Sequence, residues 1–156
     1  MQTGSATVLF GTTCEVLGPD VPDHTFPDDA RTGPGRSAEV MVDAEMARLY
    51  ADVSRDYSAH HFELEAARNS GFDRLFLHGL CTLGLCAEAA VAGPAGAKPE
   101  QVKRVAGRFS SPAFLGESLR IEMFDAGPGA SAFEAVGGAG GGARVISHGR
   151  VEVRAA

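Results

Sequence analysis

The sequence has no tryptophan, no uninterrupted apolar run of 18 residues and no excess of positive charge. Without such a run, no membrane-spanning helix is predicted. The net charge of −6, from 14 basic and 20 acidic residues, argues against general nucleic-acid binding. The first ten residues contain no lysine or arginine, so they do not resemble a signal peptide.

Cysteine is scarce and scattered. The three cysteines are Cys14, Cys81 and Cys86, and no two of them form a CxxC pair. An odd number of separate thiols is typical of a reducing compartment, not of a disulfide framework. We therefore predict a cytoplasmic protein without a cysteine-based metal site.

The length of 156 residues and the hydrophobic content of 44% allow one domain with its own core. Residues 1–36 are interrupted repeatedly by proline, glycine and aspartate, although Thr7–Phe10 has the composition of a short strand. We interpret residues 1–36 as an extended N-terminal arm, with a disordered leader as the alternative. Residues 37–156 are predicted to form a single domain.

The first half of this domain reads as a strand followed by helices. Ser37–Val42 alternates, and Asp43 is a good N-cap for a helix over Ala44–Val53 that has Met46, Leu49 and Tyr50 on one face. One or two helical turns are predicted over Glu63–Asn69, before Ser70-Gly71.

The stretch that opens at His78-Gly79 is apolar nearly all round, with Glu88 as its only charge, which predicts a long buried helix ending at Gly93-Pro94. The pattern then changes to strands, which are predicted over Val102–Phe109, Ser118–Phe124, Ser131–Val136 and Ala143–Val153. The run Gly137–Gly142 lacks the lysine and the following helix of a phosphate loop, so a hairpin loop is preferred. This order of elements predicts an α+β fold.

Two short segments carry groups suited to chemistry. Asp56 and His61 are five residues apart in one predicted loop, where a carboxylate and an imidazole can share a water molecule. Gly79 opens the apolar helix, and a free amide at a helix N-terminus can stabilise a developing negative charge. These are the parts needed to add water across, or remove it from, a carbon–carbon double bond beside a carbonyl.

Three blocks of the sequence resemble the MaoC-like, or (R)-specific enoyl-thioester hydratase, family of the hot-dog fold. Tyr50–His61 resembles the hydratase signature Ser-Gly-Asp-x-Asn-Pro-x-His, and Leu77–Leu80 resembles the family's helix-opening His-Gly. Arg108–Leu119 is similar to its turn Arg-Phe-x-x-Pro-x-x-x-Gly-Asp-x-Leu. The blocks occur in order at suitable spacing, and the resemblance covers about residues 38–153. It implies a curved antiparallel sheet wrapped around a long buried central helix.

The first block departs from the family pattern at three positions. Arg55 stands where the family has Gly, Ser58 where it has Asn, and Ala59 where it has Pro. The loss of Asn removes an amide that could brace the loop, and the loss of Pro loosens its backbone. These departures bear on the identity of the substrate and, to a lesser degree, on activity.

The resemblance implies a role for each site residue. Asp56 accepts a proton from water or orients the water, His61 holds the same water and helps deliver the proton, and the Gly79 amide stabilises the enolate oxygen. Ser58, His78 and Arg108 are the predicted substrate-binding residues, with His78 packing or hydrogen-bonding at the helix start. No cofactor is predicted beyond the coenzyme A or acyl-carrier-protein pantetheine that belongs to the substrate.

Several alternatives stay open at this stage. His60 competes with His61 as the active imidazole, and a metal site built from His60, His61 and His78 is considered but not predicted. Arg55, Lys98, Lys103, Arg104 and Arg108 are candidate phosphate contacts. The predicted activity is reversible hydration of trans-2-enoyl thioesters to (R)-3-hydroxyacyl thioesters. A dehydratase for an unusual acyl or polyketide chain, a non-catalytic hot-dog partner subunit and a thioesterase are the alternatives.

The resemblance also implies pairing of two hot-dog units. We expect a homodimer, or a heterodimer with a related hot-dog subunit, because a single sheet leaves an exposed edge and 156 residues cover the helix only in part.

Overall fold

The computed structural model of the chain describes residues 5–9, 35–138 and 142–154. Within these ranges, six strands form one antiparallel sheet: β1 (Ser5–Leu9), β2 (Arg36–Val42), β3 (Val102–Phe109), β4 (Glu117–Asp125), β5 (Ala130–Gly137) and β6 (Arg144–Val153). Their order across the sheet is β1–β3–β6–β5–β4–β2, which places β1 and β2 at the two edges.

In the part of the chain that the structure describes, three α-helices accompany the sheet: α1 (Ala44–Ser54), α2 (Leu64–Asn69) and α3 (Gly79–Ala92). Short 3₁₀ turns lie at Ala59–His61 and Pro99–Gln101. The N-cap predicted for α1 is present, since Asp43 Oδ1 accepts a 2.8 Å hydrogen bond from the Met46 amide. The helices and strands from residue 36 onward begin and end within one or two residues of the predicted positions.

The core lies between α3 and one face of the sheet. Leu83, Cys86 and Ala90 of α3 are buried, and Phe133 of β5 is fully buried. Phe133 requires glycine at position 149 on the neighbouring strand, because a Cβ there would lie 2.3 Å from the Phe133 ring. An antiparallel sheet packed on one long helix confirms the predicted α+β hot-dog fold.

Among the residues that the structure describes, none covers the outer face of α3. Leu80 is 53% exposed, and Gly84 and Glu88 are also exposed. One sheet can cover only one side of a helix, so α3 is buried, as its apolar sequence predicts, only on the side that faces the sheet.

The inward face of α1 is formed by small residues. Ala47 and Ala51 are fully buried and Tyr50 is half-buried, whereas Leu49 is 56% exposed. The apolar face predicted for this helix is therefore wrong at Leu49. Alanine allows the helix backbone to approach its neighbours closely, and Leu49 then points away from them.

The segment interpreted as an N-terminal arm lies outside the described residues over 10–34. The described part of this arm, residues 5–9, is strand β1. Its backbone pairs antiparallel with β3, with Ser5 opposite Arg108 and Leu9 opposite Arg104. The connection between β5 and β6 is a hairpin, as predicted for the glycine run, and its residues 139–141 are not described. Of the helices in the described ranges, none is long and apolar enough to cross a membrane.

Candidate active site

The loop that carries Asp56 begins with a left-handed residue. Arg55 follows the last residue of α1 with φ 63° and ψ 21°, and its amide bonds to the carbonyl oxygen of Ala51 at 2.8 Å. This is the conformation that glycine adopts without steric cost at a helix C-terminus. Arg55, which stands where the family pattern has Gly, therefore adopts a backbone conformation that favours glycine.

Ser58 braces the carboxylate of Asp56. The Ser58 amide and hydroxyl both donate to Asp56 Oδ1, at 3.1 Å and 2.5 Å. These two bonds, the hydroxyl first, lower the pKa of the exposed Asp56 carboxyl below its ordinary value, and His78 and His61 add smaller contributions. The loop brace expected to be lost with the family's Asn is thus supplied by Ser58, and Asp56 is negatively charged at neutral pH.

His61 is held as a neutral base. Its ring is buried and its Nδ1 lies 2.9 Å from the carbonyl oxygen of Phe76. A carbonyl only accepts, so Nδ1 carries the proton and Nε2 keeps a lone pair. Burial, followed by the charges of His78 and His60, lowers the pKa of His61 against the opposing effects of the Phe76 carbonyl and Asp56.

The segment before α3 is fixed to the turn between β3 and β4. The Leu77 amide bonds to the Ala113 carbonyl at 2.8 Å, and the Leu115 amide bonds to the Leu75 carbonyl at 3.0 Å. Leu77 itself is buried. This short two-stranded contact sets the positions of the Phe76 carbonyl and of His78.

His78 connects the start of α3 to the Asp56 loop. Its buried ring places Nε2 2.9 Å from the backbone carbonyl oxygen of Asp56, and it packs against the His61 ring at a 30° tilt, with centroids 3.8 Å apart. The ring of Tyr50 packs against the His78 ring, with centroids 4.9 Å apart. Burial, then Cys81 and Asp56, raises the pKa of Tyr50, so its hydroxyl stays protonated.

Two residues that contribute to the candidate site, Tyr50 and Phe76, were not predicted as site residues from the sequence. Tyr50 was assigned only to a helix face, and its position six residues before Asp56 on the helix entering the loop was the available signal. Phe76 contributes through its backbone carbonyl group. Every residue has such a group, so the residue type at position 76 gives no indication of this role.

Gly79 is the first residue of α3 and is exposed. The first amide to bond back to the N-cap is that of Thr82, which meets the His78 carbonyl at 3.0 Å. The Gly79 amide donates to no acceptor among the described residues, as expected in the first turn of a helix. A Cβ at this position would lie 3.3 Å from the ring of Phe109, so the backbone is open on one side only.

Asp56, His61 and His78 form one cluster. One side-chain oxygen or nitrogen from each lies within 4.8 Å of the others. A single water molecule spans such a distance, since each of its hydrogen bonds is about 2.8 Å long. The same three residues could hold a metal ion, although one nitrogen of each histidine already bonds to a carbonyl. The absence of a metal stays a prediction.

The remaining predicted residues are not members of this cluster. Phe109 contacts Gly79, and alternation along β3 places Arg108 on the opposite face of the strand. Arg55, Lys98 and Lys103 are exposed, and Arg104 lies 3.9 Å from Glu152. His60 stacks on Phe76 with centroids 5.5 Å apart. The phosphate contacts stay predictions.

Comparison with known proteins gives a consistent result. Residues 26–139 match the family model described as MaoC like domain. The chain is 40% identical to the peroxisomal enoyl-CoA hydratase 2 of Arabidopsis thaliana over 86 residues, which are 55% of this chain and 28% of that protein. It is 34% identical over 130 residues to the 3-hydroxyacyl-thioester dehydratase Y of Mycobacterium tuberculosis, covering 82% of this chain and 42% of that protein.

A solved structure shows the same fold. The peroxisomal multifunctional enzyme type 2 of Drosophila melanogaster superposes with a TM-score of 0.74 at 30% identity, over 88% of this chain and 25% of that chain. The chain thus spans less than half the length of each of these three proteins.

Proposed function

The chain belongs to the MaoC-like domain family, and we propose that it reversibly hydrates trans-2-enoyl thioesters to (R)-3-hydroxyacyl thioesters. In the reverse direction it would act as a dehydratase. The observation that carries the proposal is the pairing of the charged Asp56 carboxylate with the neutral His61 imidazole, beside the N-terminus of α3.

The proposed reaction begins with a water molecule between Asp56 and His61. Its oxygen bonds to C3 of the enoyl group while one of its protons passes to this pair, for which the Nε2 lone pair of His61 is available. The electron pair of the double bond moves toward the thioester oxygen, and C2 takes a proton from the same pair. The Gly79 amide, supported by the dipole of α3, stabilises the negative oxygen.

The thioester carrier is coenzyme A or an acyl carrier protein, and no separate cofactor takes part. Ser58 supports the reaction through its two bonds to Asp56. Covalent thioester cleavage by a cysteine is disfavoured, because burial raises the pKa of Cys81 to about 11 and that of Cys86 to about 12. Both thiols are then protonated and weakly nucleophilic at neutral pH.

A dehydratase for an unusual acyl or polyketide chain is the second candidate. Arg55, exposed beside Asp56, is the feature that favours it, because it adds a positive charge where the family pattern has glycine. A non-catalytic subunit is disfavoured, since Asp56, His61 and Gly79 are all present and adjoining.

We also propose that the chain pairs with a second copy or with a related hot-dog subunit. The edge strand β2 exposes Met41 by 58%, and α3 leaves Leu80 uncovered. A largely apolar hollow of about 700 Å³ lies between α3 and β3, next to Gly84, Val91 and Val105. Light scattering at micromolar concentration should give a dimer mass or a complex with a co-purified subunit. A monomer with full hydratase activity would refute this assembly.

A cytoplasmic location is proposed as well, since the free thiols Cys81 and Cys86 fit a reducing compartment. Cell fractionation with an antibody to the chain tests it, and recovery in an organelle fraction would contradict it.

The test of the activity is an assay of the full chain with crotonyl thioesters on both carriers. We expect loss of the enoyl absorbance and formation of the (R)-3-hydroxyacyl product, determined by chiral separation. Asp56→Asn serves as the matched inactive control. A folded chain that hydrates no enoyl thioester on either carrier would refute the function.

A further inference from the structure

Tyr50 packs against the start of α3 from the second half of α1. Ala47 and Ala51, which lie on the same side of α1, are fully buried, so this face of the helix turns inward and the Tyr50 ring is half-buried. The rings of Tyr50 and His78 have their centroids 4.9 Å apart, at a tilt of 46°. His78 is the N-cap of α3, so Tyr50 lies beside the residue that precedes Gly79.

The hydroxyl of Tyr50 is directed toward the first turn of α3 and the Asp56 loop. Burial raises the pKa of Tyr50, and the charges that Cys81 and Asp56 carry when ionised raise it further. Such charges act only over about 8–10 Å, so the hydroxyl lies near both groups. Cys81 belongs to the first turn of α3, two residues after Gly79.

This hydroxyl is available to donate to a ligand. No acceptor among the described residues takes its hydrogen. Two other hydroxyl groups near the start of α3 are already engaged: Thr82 donates to the His78 carbonyl at 3.1 Å, and Ser58 donates to Asp56 at 2.5 Å. Because its pKa is raised, the Tyr50 hydroxyl stays protonated at neutral pH and can act as a donor.

A thioester oxygen at the Gly79 amide can accept a second hydrogen bond. A carbonyl oxygen has two lone pairs, and the Gly79 amide would occupy one of them. The Phe109 ring, which packs against Gly79 from β3, offers no donor for the other. Tyr50 reaches this end of α3 from α1 and carries such a donor.

Resting on the proposed hydratase function, we propose that the Tyr50 hydroxyl is the second donor to the thioester oxygen, beside the Gly79 amide. As the water oxygen bonds to C3, the electron pair of the double bond moves to the thioester oxygen. The hydrogen bond from Tyr50 strengthens as that oxygen becomes negative, and the proton stays on Tyr50. Tyr50 then stabilises charge, while Asp56 and His61 move protons.

The first test is Tyr50→Phe, which removes the hydroxyl and keeps the ring that packs against His78. The kcat with crotonyl-CoA should fall by about 10²-fold, the typical cost of removing one oxyanion donor. KM should change little, because the bond forms chiefly in the transition state.

The only other tyrosine of the chain supplies a matched control. Tyr57 is 54% exposed, and its hydroxyl donates to Asp52 Oδ1 at 2.9 Å. Tyr57→Phe removes the same atom from the residue that follows Asp56, and it should keep the wild-type kcat. Thermal melts of the two variants show whether each is folded.

Acetoacetyl-CoA provides a second measurement that needs no turnover. It has no carbon–carbon double bond to hydrate, and it ionises to an enolate whose negative charge lies partly on the thioester oxygen. The absorbance of the enolate gives the ratio of ionised to neutral ligand on the protein. At a fixed pH this ratio should be lower in Tyr50→Phe than in the wild-type chain by about tenfold or more. A packing role for Tyr50 would leave the ratio unchanged.

The outcomes separate this proposal from the function on which it rests. A wild-type kcat in Tyr50→Phe, an equal loss in Tyr57→Phe or an unchanged enolate ratio overturns the role of Tyr50 and leaves the hydratase function standing. Failure of the folded wild-type chain with every enoyl thioester overturns both.

A further variant carries the test if Tyr50→Phe does not fold. Tyr50→3-fluorotyrosine keeps the ring and makes the hydroxyl a stronger donor. It should raise the ratio of enolate to neutral acetoacetyl-CoA on the protein, and a ratio equal to that of the wild-type chain would overturn the proposal.

Discussion

His78 Nε2 lies 2.9 Å from the backbone carbonyl oxygen of Asp56. The bond joins the first turn of α3 to the loop after α1, two segments that are 22 residues apart. It thereby holds the Asp56 loop next to the free amide of Gly79. This contact, together with the bond between His61 and the Phe76 carbonyl, brings the proton-transfer groups to the start of α3.

Asp56→Asn and His61→Ala should each lower kcat by about 10² or more without unfolding the chain, because each removes one proton-transfer partner. His60→Ala should have a much smaller effect, since His60 packs on Phe76 and His61 and takes no part in the proposed proton transfer. Steady-state kinetics with crotonyl-CoA, beside thermal melts of each variant, provide the measurement. Greater damage from His60→Ala would show that the wrong imidazole has been assigned.

The acid limb of the pH profile should fall below pH 6.5, the ordinary pKa of histidine. His61 acts as a base only when neutral, and its pKa in the folded protein is lowered, first by burial. Activity is then retained below pH 6.5 and lost as the pH falls through the lowered value. The measurement is kcat/KM against pH, and a midpoint above 6.5 would contradict the assignment.

His60→Ala should move this midpoint to higher pH. The charge of His60 is one of the causes that lower the pKa of His61, so its removal lets that pKa rise. Asp56→Asn cannot serve here because it abolishes turnover, whereas His60→Ala leaves enough activity to be titrated. No movement, or movement to lower pH, would be the contrary result.

His78→Ala should destabilise the protein by about 1–3 kcal/mol, because it leaves the Asp56 carbonyl without its buried partner. Turnover should fall by about tenfold as the loop loses its attachment to α3. His78→Gln keeps a side-chain donor and should recover part of both losses. Urea unfolding and kcat measure the two effects, and a wild-type value for both in His78→Ala would refute the contact's importance.

Arg55→Gly should leave the free energy of unfolding unchanged or raise it by up to about 1 kcal/mol. Arg55 has φ 63°, which costs an L-residue energy that glycine avoids, and the greater freedom of the unfolded glycine offsets part of this gain. Arg48→Gly is the matched control, since the exposed Arg48 lies within α1, where glycine costs about 1 kcal/mol. Chemical denaturation gives the free energy of unfolding of both variants. Equal destabilisation by Arg55→Gly and Arg48→Gly would contradict the prediction.

Much of the site could be predicted because its signals are local. Asp56 and His61 lie in one short loop, and Gly79 begins a segment whose apolar sequence predicts a buried helix. The strands follow from alternation and the start of α1 from the capping side chain of Asp43. Each of these features depends on neighbours within a few residues.

The remaining features depend on contacts between distant residues, and only the tertiary structure decided them. The carbonyl oxygen of Phe76 determines the tautomer of His61, which lies 15 residues away in the sequence. The ring of Phe109 in β3 packs against Gly79 at the start of α3. Leu49 faces outward because the close approach of α1 is made by alanine. The sequence by itself determined which groups could do chemistry and on which elements they stand. Tertiary packing determined which of these groups contact one another, because the directions of side chains and carbonyl groups depend on the elements that pack against them.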